Sequence, residues 1–371
     1  MIRNAIVALV FLIVINMISA QDLLCQHDCF AVEAFSAANV HRIRSLGVGP
    51  PGVHDLAWQQ AGPMLFTVTD VFKHCASPSG SELLVWKIVE DPTRGSGAGT
   101  GCSGLAAGAF THLALTSDKL IAGTDAGSLS FWELKGIWDR LGEAFLYEIP
   151  VNDGVISALL PHPSQEWLLV VLDSSRLFRF DLESLRASEI DLGTGEKRAF
   201  QAWAFSDDGL LLAAAGSGSI QIWDTHAWEA WRPRPLSGES VAGLMFTDDD
   251  SQLIVLAETL IHRWSLTEKD LSFVRVLLPH PSKRPCLIKA GDISPDGSLL
   301  MTIGNCLQTR AWDLDADEEL FLPQLHYSGH RVGQVAQFSP DGRYLAIGDR
   351  YFWGLFIVNE WYLGLRVSWR S

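Results

Sequence analysis

Residues 199–225 read AFQAWAFSDDGLLLAAAGSGSIQIWDT. Ala199–Phe205 alternates toward Ser206-Asp207-Asp208-Gly209, where Asp and Gly accept the positive φ that a tight antiparallel hairpin needs. Leu210–Ala215 follows as a second strand, whose small residues allow close approach to an axis. Gly216–Gly218 turns the chain again. Ser219-Ile220-Gln221-Ile222-Trp223 then alternates polar and apolar with period two, as a third strand does.

The same ending recurs in both directions along the chain. Short apolar runs close on Trp86, Trp132, Phe180, Trp223, Trp264, Trp312 and Val358, at spacings of 41 to 48 residues. Each is followed by a polar residue: Lys87, Glu133, Asp181, Asp224, Ser265, Asp313 and Asn359. A unit of this length, built of four short strands, cannot bury its own faces and must stack against copies of itself around an axis. The expectation is an all-β fold, a seven-bladed β-propeller of four-stranded antiparallel blades.

Two units carry a more specific grammar. Ile293-Ser294-Pro295-Asp296-Gly297 and Phe338-Ser339-Pro340-Asp341-Gly342 occupy the hairpin turn, and the first of them leads to Thr309-Arg310-Ala311-Trp312-Asp313. These units resemble WD40 repeats, and the resemblance runs from about Asn39 to the C-terminus. The lead-in Asn39-Val40-His41-Arg42-Ile43-Arg44-Ser45-Leu46-Gly47 is similar to the segment before the first repeat in many bacterial WD40 proteins. The resemblance implies a role as an interaction scaffold. It also implies a Gly-His pair opening each repeat, yet such a pair opens a repeat here only at Gly329-His330. In the family that His joins a Ser/Thr, an Asp and the strand Trp in a buried hydrogen-bond network, and Ile347 stands in the Ser/Thr place. The network is expected to be incomplete in every blade. Packing of the aromatic residues, each able to hide roughly 150–250 Å², carries correspondingly more of the stability.

With 371 residues and 48% apolar content, the chain can bury a large core as one domain. Residues 38–371 are assigned to the propeller, 21–37 to an N-terminal extension, and Gly136–Ala144 to a loop rather than a helix. Ala5–Ile15 is an unbroken apolar run, preceded by Arg3 and followed by Ile18-Ser19-Ala20-Gln21. Residues 1–20 therefore read as a signal peptide or N-terminal anchor, the run being short of the ~20 residues of a membrane span. Lipid modification of Cys25 is disfavoured, because Asp22-Leu23-Leu24 lacks the small residue expected before a lipidated Cys. The expected location is exported, with membrane contact only through that segment. The formal charge of -15 disfavours nucleic acid as a partner. Other proteins are the expected partners, and the chain is expected to be a monomer.

Cysteine placement follows from the propeller alignment. In a four-stranded blade, the loop leading into the innermost strand and the loop joining strands two and three lie on one face. That pairs Cys286 with Cys306 and Cys75 with Cys102, and leaves Cys25 with Cys29 as a small local loop. Bridges suit an exported chain.

Reactive constellations are sparse. Asp313-Leu314-Asp315-Ala316-Asp317-Glu318-Glu319 has alternating carboxylates, but Glu318 stands where a Ca²⁺ loop needs Gly, so it reads as a repeat-ending Asp and a solvated loop. Asp248-Asp249-Asp250 reads as the hairpin turn of the fifth blade. His326 and His330 flank a turn, and His330 reads as the structural His of its repeat. Pro-His-Pro-Ser occurs at Pro161–Ser164 and Pro279–Ser282, in non-equivalent loops. The Gly-rich run Gly95–Gly101 lacks the Lys of a phosphate loop, and neither HExxH nor GxSxG is present. No metal or cofactor is assigned.

Arg350-Tyr351-Phe352-Trp353, placed in the second-to-third loop of the seventh blade, combines residue types that dominate interface energetics. It is the candidate partner contact, against a reading in which Phe352 and Trp353 wedge between blades. The alternative function, a propeller enzyme or a metal- or ligand-binding protein, would use the central channel. The matching positions, Asp153, Arg198, Glu239 and Arg331, are mixed in sign and type. Closure of the ring is assigned to Val40–Leu46 as outer strand of the seventh blade, with Trp361–Trp369 adding a further strand or covering that edge. The expected function is a non-catalytic exported scaffold.

Overall fold

A computed structural model describes residues 31–33, 42–44, 53–60, 64–70, 81–87, 97–100, 108–137, 143–173, 175–192, 200–216, 218–236, 240–267, 269–277, 287–305, 309–320, 333–349 and 353–357. The quoted segment folds as read: Ala202–Phe205, Leu211–Gly216 and Ser219–Asp224 form an antiparallel sheet completed by Arg234–Pro235. Counting from Val53, this is sheet four.

Five further sheets have four strands. Sheet one comprises Val53–Trp58, Met64–Asp70, Ser81–Lys87 and Gly97–Thr100, and sheet two Phe110–Leu115, Lys119–Thr124, Ser128–Glu133 and Phe145–Pro150. Sheet three comprises Ile156–Pro161, Trp167–Leu172, Arg176–Asp181 and Arg186–Ile190. Sheet five runs Val241–Phe246, Gln252–Ala257, Ile261–Thr267 and Asp270–Leu277, and sheet six Ile288–Ile293, Leu299–Gly304, Thr309–Asp313 and Glu318–Leu320. A last sheet holds Gly333–Phe338, Tyr344–Asp349 and Trp353–Ile357. Each first strand lies beside the first strand of the next sheet, and Gly333–Phe338 lies beside Val53–Trp58, so the circuit closes. The molecule is a propeller of antiparallel blades.

The expectation of seven four-stranded blades is corrected: among the described residues six blades have four strands, and the last sheet has three. Arg42–Arg44, inside the segment expected to supply the missing strand, pairs instead with Ala31–Glu33 in a separate sheet. It runs alongside Trp353–Ile357. Trp361–Trp369 lies outside the described residues, as do Val358, residues 1–20 and most of 21–37. Around Gly136 the chain forms turns, and no helix occurs among the described residues.

The core lies between sheets, and side-chain alternation divides it. Trp167-Leu168-Leu169-Val170-Val171-Leu172 is buried throughout. Leu168, Val170 and Leu172 pack with Phe131 and Leu129 of sheet two, whereas Trp167, Leu169 and Val171 pack with Trp203, Leu212 and Trp223 of sheet four. A period of two thus sends alternate residues of one strand into two different cores, which is why second strands read as unbroken apolar runs. Trp86, Trp132, Phe180, Trp223, Trp264 and Trp312 all lie on third strands and are buried.

The hairpin between first and second strands repeats with variations. In sheet four Ser206 N–H donates to Leu211 O, and its hydroxyl donates to Asp208 while accepting Leu211 N–H. Gly209 closes the turn at φ 73°. Ser294 with Asp296, Ser339 with Asp341 and Thr247 with Asp249 make the same bonds. Asp250, at φ 53°, takes the place that Gly holds in the other three, consistent with the tolerance of Asp for this region.

Candidate docking faces and the channel wall

Two sets of loops converge on the face where the chain enters each first strand. Ala109 N–H donates to Asp125 Oδ1 at 2.7 Å, and Asp125 N–H donates back to Ala109 O at 2.9 Å. Asp173 repeats this with Val155, and Asn305 with Leu287. An Asp or Asn just past the second strand therefore ties the lead-in loop of its own blade, using its side chain and its backbone together. Leu287 and Asn305 adjoin Cys286 and Cys306 in sequence. The six cysteines themselves lie outside the described residues.

Arg350, Tyr351 and Phe352 also lie outside them. Trp353 does not sit in a loop: it opens the third strand of the last sheet, opposite Gly348. The strand therefore begins inside the stretch expected to be loop.

On the opposite face a cavity of about 400 Å³ opens between sheets two and three, lined by Thr116, Asp118, Lys119, Gln165, Glu166, Asp181, Leu182 and Glu183. The Lys119 ammonium bonded to Asp118 holds that carboxyl below the usual range, and the Ser184 hydroxyl does the same for Asp181. Asp181 is thus spent on its own turn. The neighbouring turns of sheets four and five meet where Asp250 accepts the N–H groups of Asp207 and Asp208 at 2.8 and 3.1 Å. Burial, reinforced by the charge of Asp250, raises the Asp207 carboxyl.

The channel wall is formed by first strands, whose free edges expose backbone groups that side chains of the neighbouring sheet satisfy. Asp55 accepts Leu113 N–H at 2.8 Å, from sheet one to sheet two. Thr111 and His112 both donate to Ile156 O, at 2.8 and 3.2 Å. A carbonyl only accepts, so Nδ1 of His112 carries a proton directed at it. Gln201 accepts Val241 N–H at 2.7 Å, Lys289 pairs with Glu258 at 2.7 Å, and Trp58 Nε1 donates to Gln337 O at 3.1 Å. Burial raises the Asp55 carboxyl, opposed by the nearby charge of His112 and, more weakly, His54.

Of the four channel positions expected, Asp153 is exposed in a lead-in loop; Arg198, Glu239 and Arg331 lie outside the described residues. Among the described residues, no group of three or more His, Cys, Asp or Glu is arranged to hold a metal ion. No helix there is long and apolar enough to cross a membrane. His326, His330, the Gly95–Gly101 run apart from its strand backbone, and Pro279–Ser282 fall outside the described side chains.

Several residues that organise the faces escaped the sequence reading. His162, in the first Pro-His-Pro-Ser, stacks on Trp167 with centroids 4.5 Å apart and donates Nε2–H to Gly209 O at 2.9 Å. Its Nδ1 meets the Ser164 hydroxyl at 2.8 Å. The signal was available, since His162 holds the turn position filled by Ser or Thr in other sheets. Asp317 is not simply solvated: it pairs with Arg263 of sheet five, while Asp313 is buried and accepts Asp315 and Ala316 N–H. The indole–hydroxyl part of the expected network survives in two blades, as Trp86 Nε1 to Thr67 at 3.0 Å and Trp312 Nε1 to Thr302 at 3.3 Å.

Comparison with known proteins agrees with this architecture. A family model described as WD domain, G-beta repeat matches residues 194–224 and 321–351. The WD repeat and SOCS box-containing protein 1 of Takifugu rubripes is 32% identical over 114 residues, or 30% of this chain. The chain spans about a quarter of that relative's length, the matched part being 26%.

Proposed function

We propose, from the premise that this chain is a WD40-repeat β-propeller, that it acts as a non-catalytic scaffold presenting its lead-in face to other proteins. The observation that carries this reading is the set of loop ties at Asp125, Asp173 and Asn305, each closed by a side-chain and a backbone bond. A loop fixed before binding loses less conformational freedom when a partner docks.

The finer reading is of an exported protein of bacterial type, with residues 1–20 as signal peptide or anchor, 21–37 as extension and 38–371 as propeller. The exported chain is monomeric, carries disulfides 25–29, 75–102 and 286–306, and does not bind nucleic acid. Arg350, Tyr351, Phe352 and Trp353 form the partner contact. Capture of native envelope proteins by the purified chain, read by crosslinking and mass spectrometry, tests this. Loss of the captured protein in Arg350→Ala plus Tyr351→Ala is the expected result, and undiminished capture overturns the assignment of the patch.

A further inference from the structure

Asp–Gly occurs four times in the chain, at Asp153–Gly154, Asp208–Gly209, Asp296–Gly297 and Asp341–Gly342. The last three of these steps are hairpin turns locked from both sides. The carboxylates of Asp208, Asp296 and Asp341 accept the hydroxyls of Ser206, Ser294 and Ser339 at 2.7, 2.6 and 2.6 Å. The same oxygens accept an N–H from two residues on, that of Leu210, Ser298 or Arg343. Behind them, the N–H groups of Gly209, Gly297 and Gly342 donate back to the carbonyls of the same serines at 2.9, 2.8 and 2.8 Å.

Asp153–Gly154 is built differently. It lies in the lead-in loop of sheet three, which is tied at both ends: Val151 N–H donates to Gly127 O at 2.9 Å, and Val155 N–H donates to Asp173 Oδ1 at 3.1 Å. Between those ties Asp153 is exposed, and its own N–H donates to Asn152 Oδ1 at 2.8 Å. Among the described residues, neither the Asp153 carboxylate nor the Gly154 N–H has a hydrogen-bond partner. Gly154 holds φ 131°, a conformation open to glycine, and with no Cβ it leaves its nitrogen clear to approach.

We propose that Asp153–Gly154 is a site of spontaneous covalent modification, at which Asp153 isomerises to isoaspartate and releases the lead-in loop from Asp173. The Gly154 nitrogen attacks Cγ of Asp153, whose carboxyl reacts in its acid form. The N–Cγ bond forms, and one carboxyl oxygen departs as water with the carboxyl proton and the amide proton. A five-membered succinimide results. Water then adds at either ring carbonyl. Addition at Cγ breaks the new bond and restores aspartate, whereas addition at the α-carbonyl breaks the original peptide bond and leaves the chain running through Cγ. One water is lost and one regained, so no co-reactant is consumed. The isoaspartyl product carries an extra methylene in the backbone. Little space absorbs it, because a Cβ on Gly154 would lie 2.6 Å from Asp173 Oδ2. The chain thus already rests on the carboxylate that holds Val155.

The test holds the purified full chain for weeks at physiological temperature and near-neutral pH. Peptide mass spectrometry with electron-transfer fragmentation then tells isoaspartate from aspartate at each of the four steps. Isoaspartate is expected at Asp153 in about tenfold or greater excess over Asp208, Asp296 and Asp341, where hydrogen bonds must break before the ring can close. In denaturant the four steps are expected to react at similar rates. Comparable yields at all four in the folded chain overturn the proposal. So does an excess at Asp153 that persists in denaturant, since sequence rather than fold would then set it. Release of the loop is read separately, as hydrogen exchange of the Val155 amide in the modified fraction. Loss of its bond to a carboxylate is expected to speed exchange about tenfold, and an unchanged rate removes the release from Asp173.

Discussion

At the scale of single residues, a buried indole N–H must find an acceptor or remain orphaned. Among the described residues, Trp132, Trp223 and Trp264 have no hydrogen-bond partner for Nε1. The cause can be read from strand register. Trp312 pairs with Leu300 and bonds Thr302 two residues on, and Trp86 stands in the same relation to Leu65 and Thr67. The corresponding residues beside the orphans are Ala122, Ala214 and Val255. An unpaired buried donor costs about 1–3 kcal/mol. Val255→Thr, close in shape, is therefore expected to raise stability by about 1 kcal/mol, whereas Thr302→Val lowers it by about 1–2 kcal/mol. Chemical denaturation midpoints check both, and equal shifts of the same sign would count against the assigned register. The Trp positions were legible because they recur. Asp55, Asp292 and His162 were not, since each bonds a backbone group of the next blade, some 45 to 60 residues away, and no local pattern marks such a partner.

At the scale of elements, turn chemistry was the most readable part. Ser-Asp-Asp-Gly and Ser-Pro-Asp-Gly announce a hydroxyl that bridges the hairpin and a residue of positive φ, and all three such turns form as read. The triple Asp of sheet five substitutes in the same geometry. Irregularities were hidden. Six of the seven first strands begin with a register shift, as between Ile156 and Ala158, Val241 and Gly243, or Ile288 and Ala290, and only that of sheet four does not. A bulge adds a residue without changing which types appear, so alternation alone does not expose it. The reciprocal bonds of Leu287 and Asn305 bear on the cysteines beside them. Non-reducing peptide mapping of the chain is expected to recover Cys286 linked to Cys306, and a link from Cys286 to any other cysteine would refute the alignment.

At the scale of the whole molecule, the period of the marks sufficed for a closed circuit, while the make-up of the last blade did not follow from it. The deciding contact there is steric as much as polar. A Cβ at Gly348 would lie 2.8 Å from Val335 Cγ1 and 2.8 Å from Val53 Cγ1, so the last sheet approaches sheet one too closely for any side chain at that point. Trp58 stacks on Tyr344 across the same gap, with centroids 6.2 Å apart. Gly348→Ala is expected to cost about 1–3 kcal/mol and to increase hydrogen exchange first in Val53–Trp58 and Gly333–Phe338. Loss of protection beginning in sheets three and four would place the weak point elsewhere.

The division of Trp167–Leu172 between two cores has a corollary. A partition that serves the rooms on both sides cannot be demolished for the benefit of one. Loss of a single module would strip cladding from two neighbours at once, whereas a lengthened loop disturbs neither.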